Sequence, residues 1–293
     1  MEDFNAWFCV KSMKTMMMND KHKRRIRTIL QVVLLSISIS ILSACSRSTE
    51  SGFIVAGSTS VQPYAEILAE EYMIMHPGAA IDIQGGGSSA GITAAKSGIA
   101  NLGMSSRHLN DDEKSLWSIE IAKDGLGVIV HPSNSIENLT LDQIRRIYSG
   151  EIKNWSEIGG TDSKIHIITR EEGSGTRSAF AELVMEKTEI TLKAIVQDSN
   201  GAVKQLVKDD ENAIGYISLG LVDKNVKALH LEGVAANQEN ILNGSYSLSR
   251  PFLFVSLSPP SGETKQFIDF VLSSEGQKML SDEGLIPTAG GVK

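Results

Sequence analysis

Residues 81–97 read Ile-Asp-Ile-Gln-Gly-Gly-Gly-Ser-Ser-Ala-Gly-Ile-Thr-Ala-Ala-Lys-Ser. Ile81 to Gln84 has the apolar and polar alternation of a strand, Ser89 to about Ser97 predicts a helix, and three glycines make the handover between them. A helix start leaves backbone N–H groups unpaired and carries partial positive charge, glycines let a ligand approach the main chain, and hydroxyls add donors. Such a junction suits a small oxyanion. A second one lies far along the chain, where a strand over Ile165–Thr169 runs into Arg170-Glu171-Glu172-Gly173-Ser174-Gly175-Thr176-Arg177 and then a helix from Thr176 to about Lys187. Its arginines contribute planar forks that match phosphate or carboxylate geometry.

Outward from these junctions, short apolar runs alternate with Gly/Ser turns and amphipathic stretches, the βαβ rhythm of an α/β protein. Phe53–Ala56 reads as a strand, and Gln62–Met75 as a helix with Ala65, Leu68, Tyr72 and Met75 on one face, stopped by His76-Pro77-Gly78. Ala100–Met104 is a third strand, and the acidic Asp111-Asp112-Glu113 predicts the opening of another helix. The strand Gly127–Val130 then meets the polar break His131-Pro132-Ser133-Asn134, the first passage into a second domain. That domain holds helices over Leu141–Tyr148 and Val203–Lys208, the second junction, and a strand over Ala213–Ile217. Near Ser249-Arg250-Pro251 the chain returns, with a strand Phe252–Val255 and helices over Lys265–Leu272 and Glu275–Leu280. We therefore expect a discontinuous first domain, residues 53–130 plus 250–293, a second domain over 131–249, hinges near Val130 and Arg250, and a cleft between the two.

The first 44 residues read as an export signal: Lys21, Lys23, Arg24, Arg25 and Arg27 form a basic block, Ile29–Ala44 is apolar, and Leu42-Ser43-Ala44-Cys45 resembles the lipobox of bacterial lipoproteins. That resemblance implies cleavage before Cys45, lipidation of its thiol and anchoring to a membrane lipid surface, with residues 45–52 as a linker. A short membrane span is the alternative, but the uncharged run is below the ~18–20 residues that a crossing needs. The chain has 28 Lys/Arg and 35 Asp/Glu, of which the leader takes seven and three, so the remainder carries a net charge of −11. A surface so acidic excludes nucleic acid as a partner class. Any anion must be bound locally, against the global field, by directed hydrogen bonds and one or two arginines. Cys9 and Cys45 are the only cysteines, so the exported fold contains no internal disulfide.

From about Phe53 to Pro287 the chain resembles the substrate-binding protein of phosphate ABC transporters, in its shorter form. The likeness rests on seven segments in order: Gly57-Ser58-Thr59-Ser60-Val61, Gln84–Gly91, Gly103-Met104-Ser105-Ser106-Arg107, Ile147–Trp155, Arg170–Arg177, Ala213–Ser218 and Glu275-Gly276-Gln277. It implies a two-domain, type II periplasmic-binding-protein-like α/β fold that captures inorganic phosphate by cleft closure and delivers it to transmembrane permease subunits driven by an ATPase. By motif, Thr59, Ser60 and the N–H of Val61 supply one contact, Ser88 another, and Arg170 with Ser174, Gly175 and Thr176 a clamp from the opposite lobe. One departure stands out. Longer relatives keep an aspartate at the position of Ser106, where it accepts the proton of hydrogen phosphate and repels sulfate, so here that device is replaced or weaker. Arg107 adds an anion contact or makes a surface salt bridge.

Two catalytic readings compete. Gly87-Ser88-Ser89-Ala90-Gly91 matches the nucleophile elbow of hydrolases, but His76, His108, His131, His166 and His230 offer no clear base with a supporting acid. A surface-anchored hydrolase or adhesin on the same fold is thus the lesser reading. The histidines have no metal-ligand spacing, and we expect neither metal nor cofactor. Tyr64, Tyr72, Tyr148 and Trp155 are expected in the cores, and Asn101 at a strand start rather than at the ligand.

Overall fold

The structure, a computed structural model, describes residues 52–288. The leader, Cys45 and the linker up to residue 51 lie outside them. In chain order the strands and helices are β1 (Phe53–Gly57), α1 (Gln62–Met75), β2 (Ile81–Gly85), α2 (Ser88–Lys96), β3 (Leu102–Ser105), β4 (Trp117–Val130), β5 (Asn138–Leu139) and α3 (Leu141–Ser149). They continue as β6 (His166–Arg170), α4 (Gly175–Phe180), β7 (Ile195–Gln197), α5 (Asn200–Asp209), β8 (Ala213–Ser218), β9 (Lys227–Ala228), β10 (His230–Leu231), α6 (Gln238–Leu242), β11 (Ser249–Ser256), α7 (Gly262–Val271), α8 (Ser274–Asp282) and β12 (Ile286–Pro287). Among the described residues no helix is long and apolar enough to cross a membrane.

Local chemistry accounts for the element ends. Thr140 and Gln143 form a reciprocal capping box on α3, which closes on Gly150 in the left-handed region at φ 82°. Ser199 and Ser273 cap α5 and α8 through their hydroxyls. The helix expected through Lys187 instead changes winding at Ala181, runs as a π-helix to Met185 and stops at Glu186, φ 54°. The helix expected at Asp111 is also replaced. The Glu113 carboxylate accepts the N–H of Asn110 and closes a turn, and the chain enters the 14-residue strand β4.

β4 and β11 carry the topology. The sheet runs β2-β1-β3-β11-β4-β8-β6-β7, with β9 and β12 also on β4. The first part of β4 pairs antiparallel with β11, from Trp117 against Ser256 to Gly125 against Ser249. From Leu126 on it pairs with β8, so the strand changes partner between Gly125 and Leu126. One apolar core gathers Val55, Tyr64, Leu68, Tyr72, Phe254 and Phe267 around β1, β3 and β11. Another gathers Val130, Tyr148, Trp155, Phe180 and Tyr216, and a smaller one packs Val203 and Val207 of α5 onto Ile129, Ile168 and Ile217. The expected core aromatics are all buried. Asn101 accepts the N–H of Ile54 through its side chain, a strand-edge role.

Candidate functional site

Three loops at the ends of β1, β2 and β3 converge because their helices approach the sheet closely. Gly57 closes β1 at φ +140°, and a Cβ there would lie 2.4 Å from the Met104 carbonyl, so only glycine makes the turn. On α2, a Cβ at Gly91 would lie 2.4 Å from the Ala56 carbonyl and 2.5 Å from the Gly57 Cα. These contacts set the start of α2 against the strand ends. Ser58 Oγ accepts the N–H groups of Ser60 and Val61 at 3.2 and 3.4 Å and donates to Ser106 Oγ at 2.9 Å. Ser88 Oγ accepts the N–H of Ser106 at 3.0 Å and lies 3.3 Å from Ser106 Oγ. The result is a buried wall of hydroxyls, Ser58, Ser60, Ser88 and Ser106, from three separate loops.

The opposing wall comes from the β6–α4 and β7–α5 junctions. Arg170 ends β6, where Tyr216 Oη accepts its N–H at 3.3 Å and Arg177 Nη1 donates to its carbonyl at 2.7 Å. Tyr216 is itself clamped flat on Phe180, rings 4.0 Å apart and 4° from parallel, and burial pushes its phenol up from the ordinary value. The Arg170 guanidinium, 1% exposed, donates to Glu171 through Nε and Nη2, to the Gln197 and Asp198 carbonyls, and across to Thr59 Oγ1 at 3.3 Å. Its Nη1 is buried with no hydrogen-bond partner among the described residues. Ser174 caps α4 by accepting the Arg177 N–H. Gly175 stands so close to the first wall that a Cβ there would lie 2.2 Å from Ser88 Oγ and 2.6 Å from Ser106 Oγ. Thr176 Oγ1 meets Ser60 Oγ at 2.8 Å, and Asn200 at the start of α5 donates to both Thr59 and Ser60.

Hydroxyls on two facing walls, with a buried guanidinium whose Nη1 has no partner among the described residues, can envelop an oxyanion, since such an ion needs many charge-assisted donors to replace its hydration. A family model described as a PBP superfamily domain matches residues 43–275. The phosphate-binding protein PstS of Bacillus subtilis is 32% identical over 239 residues, covering 80% of this chain and 79% of its own. The chain belongs to the PBP superfamily, among the PstS phosphate-binding proteins. A structure from Clostridium perfringens, described as a candidate phosphate ABC transporter substrate-binding protein with bound phosphate, is similar at 46% identity and TM-score 0.79, covering 81% of this chain and all of its own. An ABC-type phosphate transport receptor from Vibrio cholerae is similar at 40% identity and TM-score 0.68, covering 80% of this chain and all of its own.

Within this PstS-type frame the expected residues are placed unequally. Thr59, Ser60, Ser88, Ser106, Arg170, Gly175 and Thr176 meet in one cluster, and Ser174 borders it through its cap. Val61 and Arg107 depart from expectation. The Val61 N–H is turned to the Ser58 carbonyl and hydroxyl, which leaves no open donor. The Arg107 guanidinium faces Glu113 in a bidentate pair at 2.7 and 2.9 Å and also donates to the His108 carbonyl, because the turn at Asn110 brings that carboxylate beneath it. Its Nη2 also donates to Ser89 Oγ at 3.4 Å, one residue after Ser88 of the hydroxyl wall. The Arg107 hydrogen bonds hold the Glu113 carboxyl below the usual range.

Four residues of the site were not foreseen: Ser58, Asn200, Asp124 and Arg250. Asp124 on β4 and Arg250 on β11 are register partners, and they form a fully buried pair in which Arg250 Nη2 and Nε donate to Asp124 Oδ2 at 2.9 and 3.1 Å. Ser218 donates to the same carboxylate at 2.8 Å, and Arg250 Nη2 reaches Ser60 Oγ at 3.0 Å. Burial raises Asp124 and lowers Arg250 from their ordinary values, and their mutual attraction opposes both shifts. The available signal was an arginine flanked by Leu248 and Phe252-Leu253-Phe254 in an apolar strand, where a lone charge demands a buried partner. As for the hydrolase pattern, Ser88 Oγ bonds to Ser106, and no histidine hydrogen-bonds it among the described residues. Nor does any group of three or more His, Cys, Asp or Glu side chains there fit a metal ion.

Proposed function

We propose that this protein captures inorganic phosphate outside the cytoplasmic membrane and delivers it to the permease and ATPase of an ABC importer, without chemistry on the ligand. The observation that carries this reading is the buried Arg170 Nη1, a guanidinium N–H without a partner beside the hydroxyl cluster, in a chain of the PstS family. The ligand contacts in this reading are Thr59, Ser60, Ser88, Ser106, Arg170, Gly175 and Thr176, with Ser174 holding the start of α4. Val61 and Arg107 support the loops instead. Phosphate would replace the direct hydroxyl bonds between the walls, such as Ser60 to Thr176, with hydroxyl-to-anion bonds. Because its contacts come from both walls, it favours the closed arrangement by its differential affinity for that state. The bending points are where β4 changes partner, at Gly125–Leu126, and where β11 begins, at Ser249–Arg250. In the same proposal the lobes divide at these two points, the first a few residues before the boundary expected at 130 and the second at the boundary expected at 250.

Calorimetric titration of the ligand-stripped exported domain tests this directly. Saturable, one-to-one binding of phosphate is expected, and no heat of binding would overturn the reading. The same proposal places the mature chain on the outer face of the cell membrane through lipid on Cys45. Labelling with a fatty-acid probe should mark the wild type and leave Cys45→Ser unmarked, and equal labelling of both would refute the anchor.

A further inference from the structure

Asn200 contacts two consecutive hydroxyls of the opposite wall, and its orientation is determined. Its Oδ1 accepts the Ser218 N–H at 3.2 Å, and a backbone N–H can only donate, so the other end of the amide is the NH2 group. The two Nδ2 hydrogens reach Thr59 Oγ1 at 3.3 Å and Ser60 Oγ at 2.8 Å. Ser60 Oγ also receives a guanidinium hydrogen from Arg250 at 3.0 Å, whereas the two hydrogens of Arg170 Nη2 have nearer acceptors in Glu171 at 2.9 Å and the Asp198 carbonyl at 3.0 Å than in Thr59 at 3.3 Å. A hydroxyl has two lone pairs and one hydrogen. With both lone pairs occupied by groups that cannot accept, Ser60 can act only as a donor. The direction then propagates. Ser60 lies 2.8 Å from Thr176 Oγ1, so Thr176 accepts, and its own hydrogen is left for another acceptor.

We propose that Asn200 is a positioning residue that, with Arg250, fixes the Ser60 hydroxyl as a donor, so that this point of the site takes only a hydrogen-free oxygen of an anion. The inference rests on the proposed oxyanion function and deepens it. A protonated ligand oxygen must then find its acceptor elsewhere in the cluster. Asn200 is 1% exposed, and its amide ties α5 to the β1–α1 loop. Selection by donor direction and coupling of the lobes thus share one side chain.

The experiment compares wild type, Asn200→Ala and Asn200→Asp by calorimetry with phosphate and with sulfate, with folding checked by circular dichroism. Asn200→Asp keeps the shape but turns donors into acceptors and adds charge, so it should bind phosphate at pH 7.5 more weakly than Asn200→Ala, by at least ~10-fold. A purely structural role predicts the reverse order, because aspartate fills the space and alanine does not. The charged groups around the introduced carboxylate are Arg170 and Arg250, with Glu171 and Asp124 as their partners. If only the alanine variant folds, it should lose at least ~10-fold for both anions, for want of two buried donors. Variants that bind like wild type, or an aspartate variant tighter than alanine at pH 7.5, overturn the inference alone. A wild type that binds neither anion overturns the proposed function and the inference with it.

Discussion

Arg170 is held from every side but one: carboxylate at Nε and Nη2, two carbonyls, Thr59, and a backbone fixed by Tyr216 and Arg177. A guanidinium so constrained has lost its rotamer freedom before any ligand arrives, which is the condition for strong anion recognition. Arg170→Ala should weaken phosphate binding by at least ~2 kcal/mol with the fold intact, and Arg170→Lys should not restore it, because an ammonium cannot keep the fork of contacts. Titration of both variants checks this, and near-native affinity in the alanine variant would remove Arg170 from the site. Arg107 behaves differently, since its partner is Glu113. The Glu113 pKa is depressed by Arg107 in the folded state, so its contribution to stability is complete above the ordinary carboxylate value of 4.5 and is lost as pH falls through the folded value. Urea unfolding of wild type should therefore lose stability on acidification below about pH 4.5 more steeply than that of Glu113→Gln. Parallel pH profiles would contradict the pairing.

At the scale of elements, the site depends on how near α2 sits to β1 and β3. Gly91 and Gly103 permit backbone contact, and a Cβ at Gly103 would lie 2.6 Å from the Gly91 carbonyl. Ser88, at the first turn of α2, then reaches the main chain of Ser106. Gly91→Ala must push α2 outward, since the added methyl meets main chain that no rotamer change can move. We expect a loss of about 1–3 kcal/mol in urea unfolding, together with weaker phosphate binding because Ser88 moves with the helix. Unchanged stability would show that the helix had room to spare.

For the whole molecule, the Asp124–Arg250 pair occupies the strands that join the two cores, and it bonds to Ser60 at the site. A buried ion pair is weak evidence of net stability, but removing one partner leaves an uncompensated charge. Asp124→Asn should destabilise by about 3–5 kcal/mol, whereas Asp124→Leu combined with Arg250→Met should cost less than that single change. Chemical denaturation of the ligand-free proteins measures both. A double variant as unstable as the single would mean that the pair itself, not the stranded arginine, stabilises the crossing.

Sequence alone determined the elements whose signals are local. Glycine runs after alternating apolar residues, Ser and Thr caps, and Pro or Gly stops marked β1, α1, β2, α2, α3 and the Arg170–Thr176 junction within a residue or two. Their chemistry also pointed to an oxyanion, because hydroxyls and arginine at helix starts have few other uses in combination. What depended on residues distant in the chain was legible only in three dimensions. The Asp111–Glu113 run looks like a helix start until Arg107 and Asn110 claim the Glu113 carboxylate. Arg250 reads as a hinge residue until Asp124, 126 positions earlier, is found opposite it. Asn200 reads as ordinary until its amide is seen to bridge 140 residues back to Ser60. Propensity and capping act over one turn, whereas the polarity of a buried hydroxyl is settled by every donor that surrounds it, and tertiary structure alone brings those donors together.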